Sequence, residues 1–348
     1  MADAGGYDAF MNIRTAIIGY GRNGSTMHAG PLEKNPAFTM TAVCDIDPDR
    51  RKLAAERFSC SVYDDYKEMF RREKIDLAVI VTRTDQHAVM ACDCLRAGAH
   101  VLVTKPWAVN ADEARRMIAA AKAAGRLLLP WLPARWSCDL LRLKELVAAG
   151  AVGKVFAIRR TVTSFATRND WQTEKKFGGG YVLNWGPHIV DPPVLLADSK
   201  VKSVFARLKQ VINPGDVEDL FFALLTLEDG TLVQAEYTLA VEPFPTWVVQ
   251  GDRGTIVMHG RTLKLMKQTP AQPNDPTAFA TMQATPAEVI EETVEGSVYG
   301  DEHVIYGEIA AALAEGKPYP VTPADALQVS RVLDAIKTAS AENRVVVL

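Results

Sequence analysis

This 348-residue chain has no apolar run approaching the roughly 18 residues that a membrane-spanning helix requires. Its first residues lack the basic and apolar regions of a signal peptide. It also lacks an excess of positive charge: the net charge is −3 at pH 7, and no basic stripe suits nucleic acid. The five cysteines form an odd, scattered set, which predicts no disulfide framework, no metal site and a reducing, cytoplasmic compartment.

The first third of the chain alternates apolar strand patterns with helical patterns. The run LAVIVT (77–82) is apolar at every position but the last, as expected of a strand that is covered on both faces. Such βα alternation predicts a doubly wound parallel sheet. After Pro130 the pattern changes to strands joined by tight turns, which predicts an antiparallel sheet. We therefore expect a doubly wound α/β domain over 1–130 and a second domain over 131–348.

The first strand leads directly into GYGRNG, residues 19–24, and a helix follows. In this context Gly19 allows a tight turn, Gly21 lets backbone amides approach a diphosphate, and Gly24 lets the helix pack closely on the strand. The N-terminus of the helix adds positive potential. The motif predicts dinucleotide contacts from its whole length: Gly19, Gly21, Arg22, Asn23 and Gly24.

Asp45 ends the second strand, where a carboxylate can accept the adenosine ribose hydroxyls and repel a 2′-phosphate. This position favours NAD over NADP as the cofactor, although Arg50 and Arg51 follow closely. The alternative interpretation is an acid at the start of the helix in DIDPDR.

Three further motifs carry a resemblance to a known family. They are VTKPWA (103–108), GGGYVLNWGPH (178–188) and GKPYPVTPADALQV (316–329). With the glycine turn, they resemble the Gfo/Idh/MocA oxidoreductases. The resemblance implies an NAD(P)-binding Rossmann domain over 1–130 and a substrate-binding and oligomerisation domain over 131–348. The second domain would be an α+β domain on a large open mixed, mostly antiparallel sheet, which often builds homodimers or homotetramers. It also implies reversible hydride transfer between a carbinol carbon and a nicotinamide cofactor.

The resemblance assigns the proton chemistry to Lys105 and His188, with Asn184 orienting. It implies a cis bond before Pro106 that aims Lys105 inward, where its ammonium would polarise the hydroxyl. We expect the glycines before His188 to allow close approach to nicotinamide and sugar, and to turn the chain into a helix that begins near His188. Because Asn184 stands where the family has Asp, whether His188 or Lys105 accepts the proton stays open, and Asp191 is either a compensating carboxylate or a structural one.

Other positions match the family only in part. Thr82 and His87 are retained in VTRTDQH (81–87) and are predicted to line the cofactor, whereas Arg83 and Thr104 replace a proline and a glutamate. On the substrate side we expect charged and aromatic groups that suit a sugar, each of which could instead be a core or surface residue. These candidates are Arg135, Arg168, Trp171 and His303, together with Lys105, Asn184 and His188.

The sequence thus predicts an NAD-dependent oxidoreductase that acts on a secondary alcohol of a sugar, polyol or related carbohydrate. Two alternatives stay open. One is redox-assisted glycoside cleavage, in which transient oxidation is followed by elimination and the cofactor is recycled. The other is a non-catalytic NAD-binding sensor or regulator.

Overall fold

A computed structural model describes residues 12–271, 277 and 282–348. The chain divides into two compact units. The first runs to Leu132 and also contains Glu302–Leu327, and the second comprises Pro133–Asp301 and Gln328–Leu348. Within the described residues, no helix combines the length and the apolar character needed to cross a bilayer.

The first unit is built on six parallel strands in the order β3-β2-β1-β4-β5-β6. The predicted doubly wound parallel sheet is therefore confirmed. The order reverses between β1 and β4, which creates the switch point where sheets of this kind bind ligands. The strands are β1 (Ile13–Ile18), β2 (Phe38–Cys44), β3 (Ser61–Tyr63), β4 (Leu77–Ile80), β5 (His100–Val103) and β6 (Leu128–Pro130).

The helices of this unit begin where the sequence offers a capping side chain. Asp47, Asp65 and Asn110 each accept a hydrogen bond from a backbone N–H in the first turn of the helix that follows. The helices are α1 (Ala29–Lys34), α2 (Pro48–Phe58), α3 (Tyr66–Arg72), α4 (Thr84–Arg96), α5 (Ala111–Ala124) and α8 (Glu302–Ala314).

The helix after the glycine turn is interrupted, as the pair Gly30-Pro31 predicts. Gly24–His28 forms a π-helical turn, and α1 continues from it for only six residues. Pro31 has no N–H to donate to the preceding turn, which favours an irregular hydrogen-bond pattern just before it.

An aromatic cluster attaches α8 to the first unit. Tyr306 is fully buried, its hydroxyl lies 2.8 Å from Nδ1 of His28, and its ring packs against Trp131 and Phe38. The predicted domains divide the chain once, at residue 130, whereas the segment Glu302–Leu327 returns to the first unit. Side chains far apart in sequence make this contact, so a division in chain order does not show it.

The second unit contains a nine-stranded mixed sheet in the order β14-β13-β12-β11-β7-β10-β9-β8-β15. Only β7 and β10 pair in parallel, so the expected mixed, mostly antiparallel sheet is confirmed. Its strands are β7 (Val155–Thr163), β8 (Val201–Lys209), β9 (Leu220–Leu227), β10 (Leu232–Thr238), β11 (Trp247–Gly251), β12 (Gly254–His259), β13 (Thr262–Lys267), β14 (Glu288–Thr293) and β15 (Val346–Val347).

Helices α6 (Cys138–Ala148) and α7 (Tyr181–Ala197) belong to this unit, and α9 (Pro323–Glu342) enters it after Leu327. Residues alternate along β9 between buried positions, such as Phe221 and Ala223, and less buried ones, so the sheet has one packed face. Helix α7 contacts β7, β9 and β10. The run from Lys267 to Ala287 is rich in Pro, Thr, Gln and Ala, which predicts a long connection, and part of it lies outside the described residues.

Burial of His28 predicts a pH dependence of stability. Desolvation lowers the pKa of His28 to about 3, below the ordinary value of 6.5. The unfolded chain therefore binds the proton first, so the stability contributed by neutral His28 is complete above pH 6.5 and is lost as the pH falls toward 3. The stability advantage of wild type over His28→Gln, from urea unfolding, should shrink by about 1.4 kcal/mol per pH unit below 6.5. If the difference in unfolding free energy between wild type and His28→Gln stayed constant from pH 7 to pH 4.5, this prediction would be wrong.

Candidate active site

The glycine turn after β1 is shaped by two close backbone approaches. Gly19 has a φ of +97°, and a Cβ there would lie 2.7 Å from the carbonyl oxygen of Val81. A Cβ on Gly24 would collide with the carbonyl oxygen of Gly19. A Cβ on Gly21, by contrast, would meet nothing within 4 Å, so open space lies beside the turn. These features fit a dinucleotide diphosphate, which requires bare backbone at this position. Arg22 and Asn23 are exposed on the same turn.

Asp45 connects the glycine turn to the end of β2. Its Oδ2 accepts the N–H of Tyr20 at 2.6 Å and its Oδ1 accepts the N–H of Asp47 at 2.9 Å. A carboxylate has about four acceptor sites, so these two bonds leave capacity for ribose hydroxyls. Nη1 of Arg51 donates to the carbonyls of Asp45 and Ile46, at 2.8 and 3.0 Å. Arg51 therefore stabilises the backbone of this loop.

Lys105 lies two residues after the end of β5 and is half-buried. The peptide bond between Lys105 and Pro106 is cis, as the resemblance implied. Thr104, which replaces the family's glutamate, is buried, and its hydroxyl donates to the carbonyl of Ile80 at 3.0 Å. The substitution therefore exchanges a carboxylate for a hydroxyl that bonds to the adjacent strand β4.

Thr82 and His87 lie near the end of β4 with different surroundings. Thr82 is half-buried in the turn, whereas His87 is fully buried in α4. Nδ1 of His87 lies 2.8 Å from the carbonyl oxygen of Pro106, and Nε2 lies 3.0 Å from that of Thr82. His87 therefore contacts the turns after β4 and β5. Arg83, between these residues in sequence, forms a 3.6 Å ion pair with Asp85.

Helix α7 differs from the expectation. It begins at Tyr181, so His188 lies at its eighth residue rather than at its start. Gly186 and Pro187 are poor helix formers, but both are buried inside the helix. A Cβ on Gly186 would lie 2.6 Å from the side chain of Leu333, so this glycine allows α7 to pack tightly on α9. Tertiary packing outweighs the low helix propensity of both residues.

Asn184, His188 and Asp191 share one face of α7, because their spacing of four and three residues matches the helical period. His188 is half-buried and Asn184 is buried. The ring of Trp185 lies 6.0 Å from that of His188 and 5.3 Å from that of Tyr237 on β10. Neither aromatic residue was predicted for the site. The period of helix α7 could have indicated Trp185, three residues before His188, but only the fold brings Tyr237 to it.

The three glycines before α7 have a local structural reason. A Cβ on Gly179 would lie 2.5 Å from the carbonyl oxygen of Gln172. Gly180 has a φ of +104°, and a Cβ there would lie 2.6 Å from Oε1 of Glu218. These contacts within the protein explain the glycine run without the close approach to a ligand that we expected from the sequence.

Glu218 caps the start of α7. Its carbonyl accepts the N–H of Tyr181 at 3.1 Å, and its Oε1 accepts the N–H of Val182 at 2.9 Å. Burial raises the pKa of Glu218, and the Val182 bond opposes that shift. Burial also lowers the pKa of Lys337 on α9, where the charges of Asp334 and Glu218 act the other way. The helix that carries His188 is thus held at its first turn by a half-buried carboxyl group.

Arg135 and Asp191 form a buried ion pair. Nε and Nη2 of Arg135 donate to the two carboxylate oxygens of Asp191 at 2.8 and 2.7 Å, and the side chains are only 11% and 6% exposed. The sequence leaves both open for other roles, Arg135 as a substrate ligand and Asp191 as a substitute for the missing carboxylate. The bidentate geometry pairs the charge of Asp191 with that of Arg135 and anchors both side chains.

The remaining substrate candidates are placed as follows. Nε of Arg168 donates to Asp170 at 3.0 Å, and its backbone N–H donates to Asn213. Trp171 is half-buried in a short 3₁₀ turn that Asp170 caps. His303 is exposed in the first turn of α8, in the other unit. Among the described residues, no group of three His, Cys, Asp or Glu side chains could hold a metal ion.

Comparisons with known proteins agree with this architecture. The family model described as "Oxidoreductase family, NAD-binding Rossmann fold" matches residues 13–130, and the model described as "GFO/IDH/MocA C-terminal domain" matches residues 140–257. The "Uncharacterized oxidoreductase YdgJ" of Escherichia coli (strain K12) is 30% identical over 93% of this chain and 95% of its own.

Two further relatives are informative. The "scyllo-inositol 2-dehydrogenase (NADP(+)) IolW" of Bacillus subtilis (strain 168) is 23% identical over 97% of this chain and 96% of its own. The crystal structure of an "NAD-binding protein" from Listeria innocua superposes with a TM-score of 0.82 at 28% identity, covering 96% of each chain.

The contact between Gly180 and Glu218 predicts the effect of adding one methyl group. Gly180→Ala should lower the free energy of unfolding more than Gly230→Ala, by about 1–3 kcal/mol, because both positions have positive φ but only Gly180 also meets a side chain. Urea unfolding of the two variants measures the difference. Glu218→Ala in the Gly180→Ala background should relieve the collision; equal losses at both glycines would contradict this explanation.

Proposed function

The chain belongs to the Gfo/Idh/MocA oxidoreductase family, and from that premise we propose that it oxidises and reduces a secondary alcohol of a sugar, polyol or related carbohydrate. It is an NAD(P)-dependent dehydrogenase with an NAD-binding Rossmann fold. The observation that carries the proposal is the position of Lys105, on a turn at the carboxyl end of β5, in a sheet whose order is that of dinucleotide-binding domains.

The substrate class is supported by the relatives and by aromatic groups. Besides the scyllo-inositol enzyme, the relatives include a "D-glucoside 3-dehydrogenase" of Escherichia coli (strain K12), 27% identical over 66% of this chain. Trp185 lies beside His188, and an aromatic ring suits the flat C–H face of a sugar or cyclitol. Arg168, Trp171 and His303 stay candidates for contacts with its hydroxyls.

Oxidation of a carbinol requires that a hydride leaves carbon and a proton leaves oxygen. The nicotinamide, when bound, accepts the hydride. The ammonium of Lys105 would donate a hydrogen bond to the carbinol oxygen and stabilise its developing negative charge. The imidazole of His188 would receive the proton, because a neutral imidazole nitrogen can act as a general base. Asn184, one turn earlier on α7, would orient the imidazole or the substrate through its amide.

Because Asn184 is neutral, Lys105 and His188 both stay candidates for the proton acceptor. A carboxylate at that position would stabilise an imidazolium by charge, whereas an amide cannot. Asp191 is less able to replace that carboxylate, because its charge is already paired with the guanidinium of Arg135. Redox-assisted glycoside cleavage would use the same residues, and it would release free sugar without net NADH.

We propose NAD rather than NADP as the preferred cofactor. Asp45 keeps acceptor capacity at the end of β2, and Arg51 uses its Nη1 on the backbone carbonyls of Asp45 and Ile46. In addition, we expect a homodimer or homotetramer and a cytoplasmic location, on the family resemblance and the five free cysteines.

Lys105→Met and His188→Gln test the proton chemistry. Each should lower kcat about 10²–10⁴-fold, because each removes a group that acts on the developing alkoxide or its proton. Neutral sugars, cyclitols and glycosides are assayed by NADH absorbance with NAD and with NADP, and free sugar is measured in parallel. Full activity in both variants would remove the mechanism, and release of sugar without NADH would favour glycoside cleavage.

Asp45→Asn tests cofactor choice. It retains an acceptor for the N–H of Tyr20 but removes the charge, so the ratio of kcat/KM for NADP to that for NAD should rise about tenfold or more. Asp47→Asn is the matched control, since Asp47 is exposed two residues later and caps α2. An unchanged ratio in Asp45→Asn would show that this carboxylate does not select the cofactor.

A further inference from the structure

His87 makes an unusual pair of contacts for a buried histidine. It is fully buried within the first unit, yet its two ring nitrogens lie 2.8 and 3.0 Å from carbonyl oxygens of two different loops. Pro106 belongs to the turn after β5 and Thr82 to the turn after β4. Both partners are acceptors, so the ring N–H can bond to either loop.

The two turns are the ones that carry predicted functional residues. Strands β4 and β5 are neighbours in the sheet, so their carboxyl ends open on the same edge. Thr82 lies in one turn, and Lys105 immediately precedes Pro106 in the other. The ring of His87 lies between the two turns and below the surface, where it does not contact solvent.

We propose that His87 is a positioning residue that sets the distance between the Thr82 turn and the Lys105–Pro106 turn, rather than a direct cofactor ligand. The Thr82 turn would line the bound NAD, and the other turn would hold the ammonium of Lys105. The role in holding Lys105 rests on the proposed function. The role in lining NAD rests only on the NAD-binding fold.

Because the ring of His87 has two different nitrogens, its contact with Pro106 and its contact with Thr82 can be removed one at a time. Burial lowers the pKa of His87, while the carbonyls of Thr82 and Pro106 and the charge of Asp85 oppose that shift. A neutral imidazole has a single N–H, so it donates to one carbonyl at a time, from Nδ1 to Pro106 or from Nε2 to Thr82. An asparagine amide nitrogen occupies roughly the place of Nδ1, and a glutamine amide nitrogen roughly that of Nε2. Each variant therefore keeps one donor and removes the other.

The experiment compares His87→Asn, His87→Gln and His87→Leu with wild type. Backbone amide exchange is measured by mass spectrometry on peptides covering 81–86 and 104–109, and the Kd for NADH is measured by nicotinamide fluorescence without sugar. His87→Asn should speed exchange in 81–86 and weaken NADH binding about threefold to tenfold, the effect of one lost hydrogen bond. His87→Gln should speed exchange in 104–109 and lower kcat with less effect on the Kd. His87→Leu should show both effects.

The control is His100→Gln, at the opposite end of β5, where Nδ1 accepts the N–H of Leu127. This substitution should change neither the amide exchange of the two peptides nor the Kd for NADH. Equal effects of Asn and Gln on both peptides would overturn the proposal, because a purely structural histidine would respond that way. Wild-type exchange and NADH affinity in all three His87 variants would overturn it as well. If no carbohydrate is oxidised by wild type, the proposed function fails while the exchange and NADH results still decide this inference.

Discussion

The arrangement of the first unit depends on one constraint, that six parallel strands deliver all their outgoing turns to the same edge of the sheet. Crossover connections give each strand the same direction, so the glycine turn, Asp45, Thr82 and Lys105 all leave the sheet on that edge. The reversal of strand order between β1 and β4 then opens a crevice there. Residues spread over more than 80 positions in sequence are thereby brought to one edge of the sheet.

Buried polar groups hold the functional segments in place in both units. His87 joins two turns of the first unit, and Glu218 caps the helix that bears His188 in the second. A buried donor or acceptor without a partner costs about 1–3 kcal/mol, so each of these bonds strongly disfavours alternative positions of its segment. Arg135 and Asp191 act in the same way one turn beyond His188, where a bidentate ion pair is almost completely removed from solvent. Polar interactions in this protein therefore specify geometry more than they add stability.

Two neutral residues distinguish this chain from the family pattern. Thr104 and Asn184 each replace a carboxylate. The hydroxyl of Thr104 donates a hydrogen bond to the neighbouring strand β4. Loss of both negative charges removes groups that would stabilise the protonated forms of Lys105 and His188. Proton transfer in this enzyme would then depend more on hydrogen bonding and orientation than on charge pairing.

The sequence by itself determined the parallel sheet, the glycine turn and the family, because these follow from local periodicity and short motifs. The start of α7 was not predictable in this way, since Gly186 and Pro187 are poor helix formers that only packing against Leu333 and the sheet makes acceptable. The same holds for the return of α8 to the first unit through Tyr306 and His28, and for the pairing of Arg135 with Asp191. Each of these depends on at least one contact between residues more than 50 positions apart, and such contacts leave no periodic signal in the chain. Only the tertiary structure decides them, because burial sets the energy of each contact and burial is a property of the whole fold.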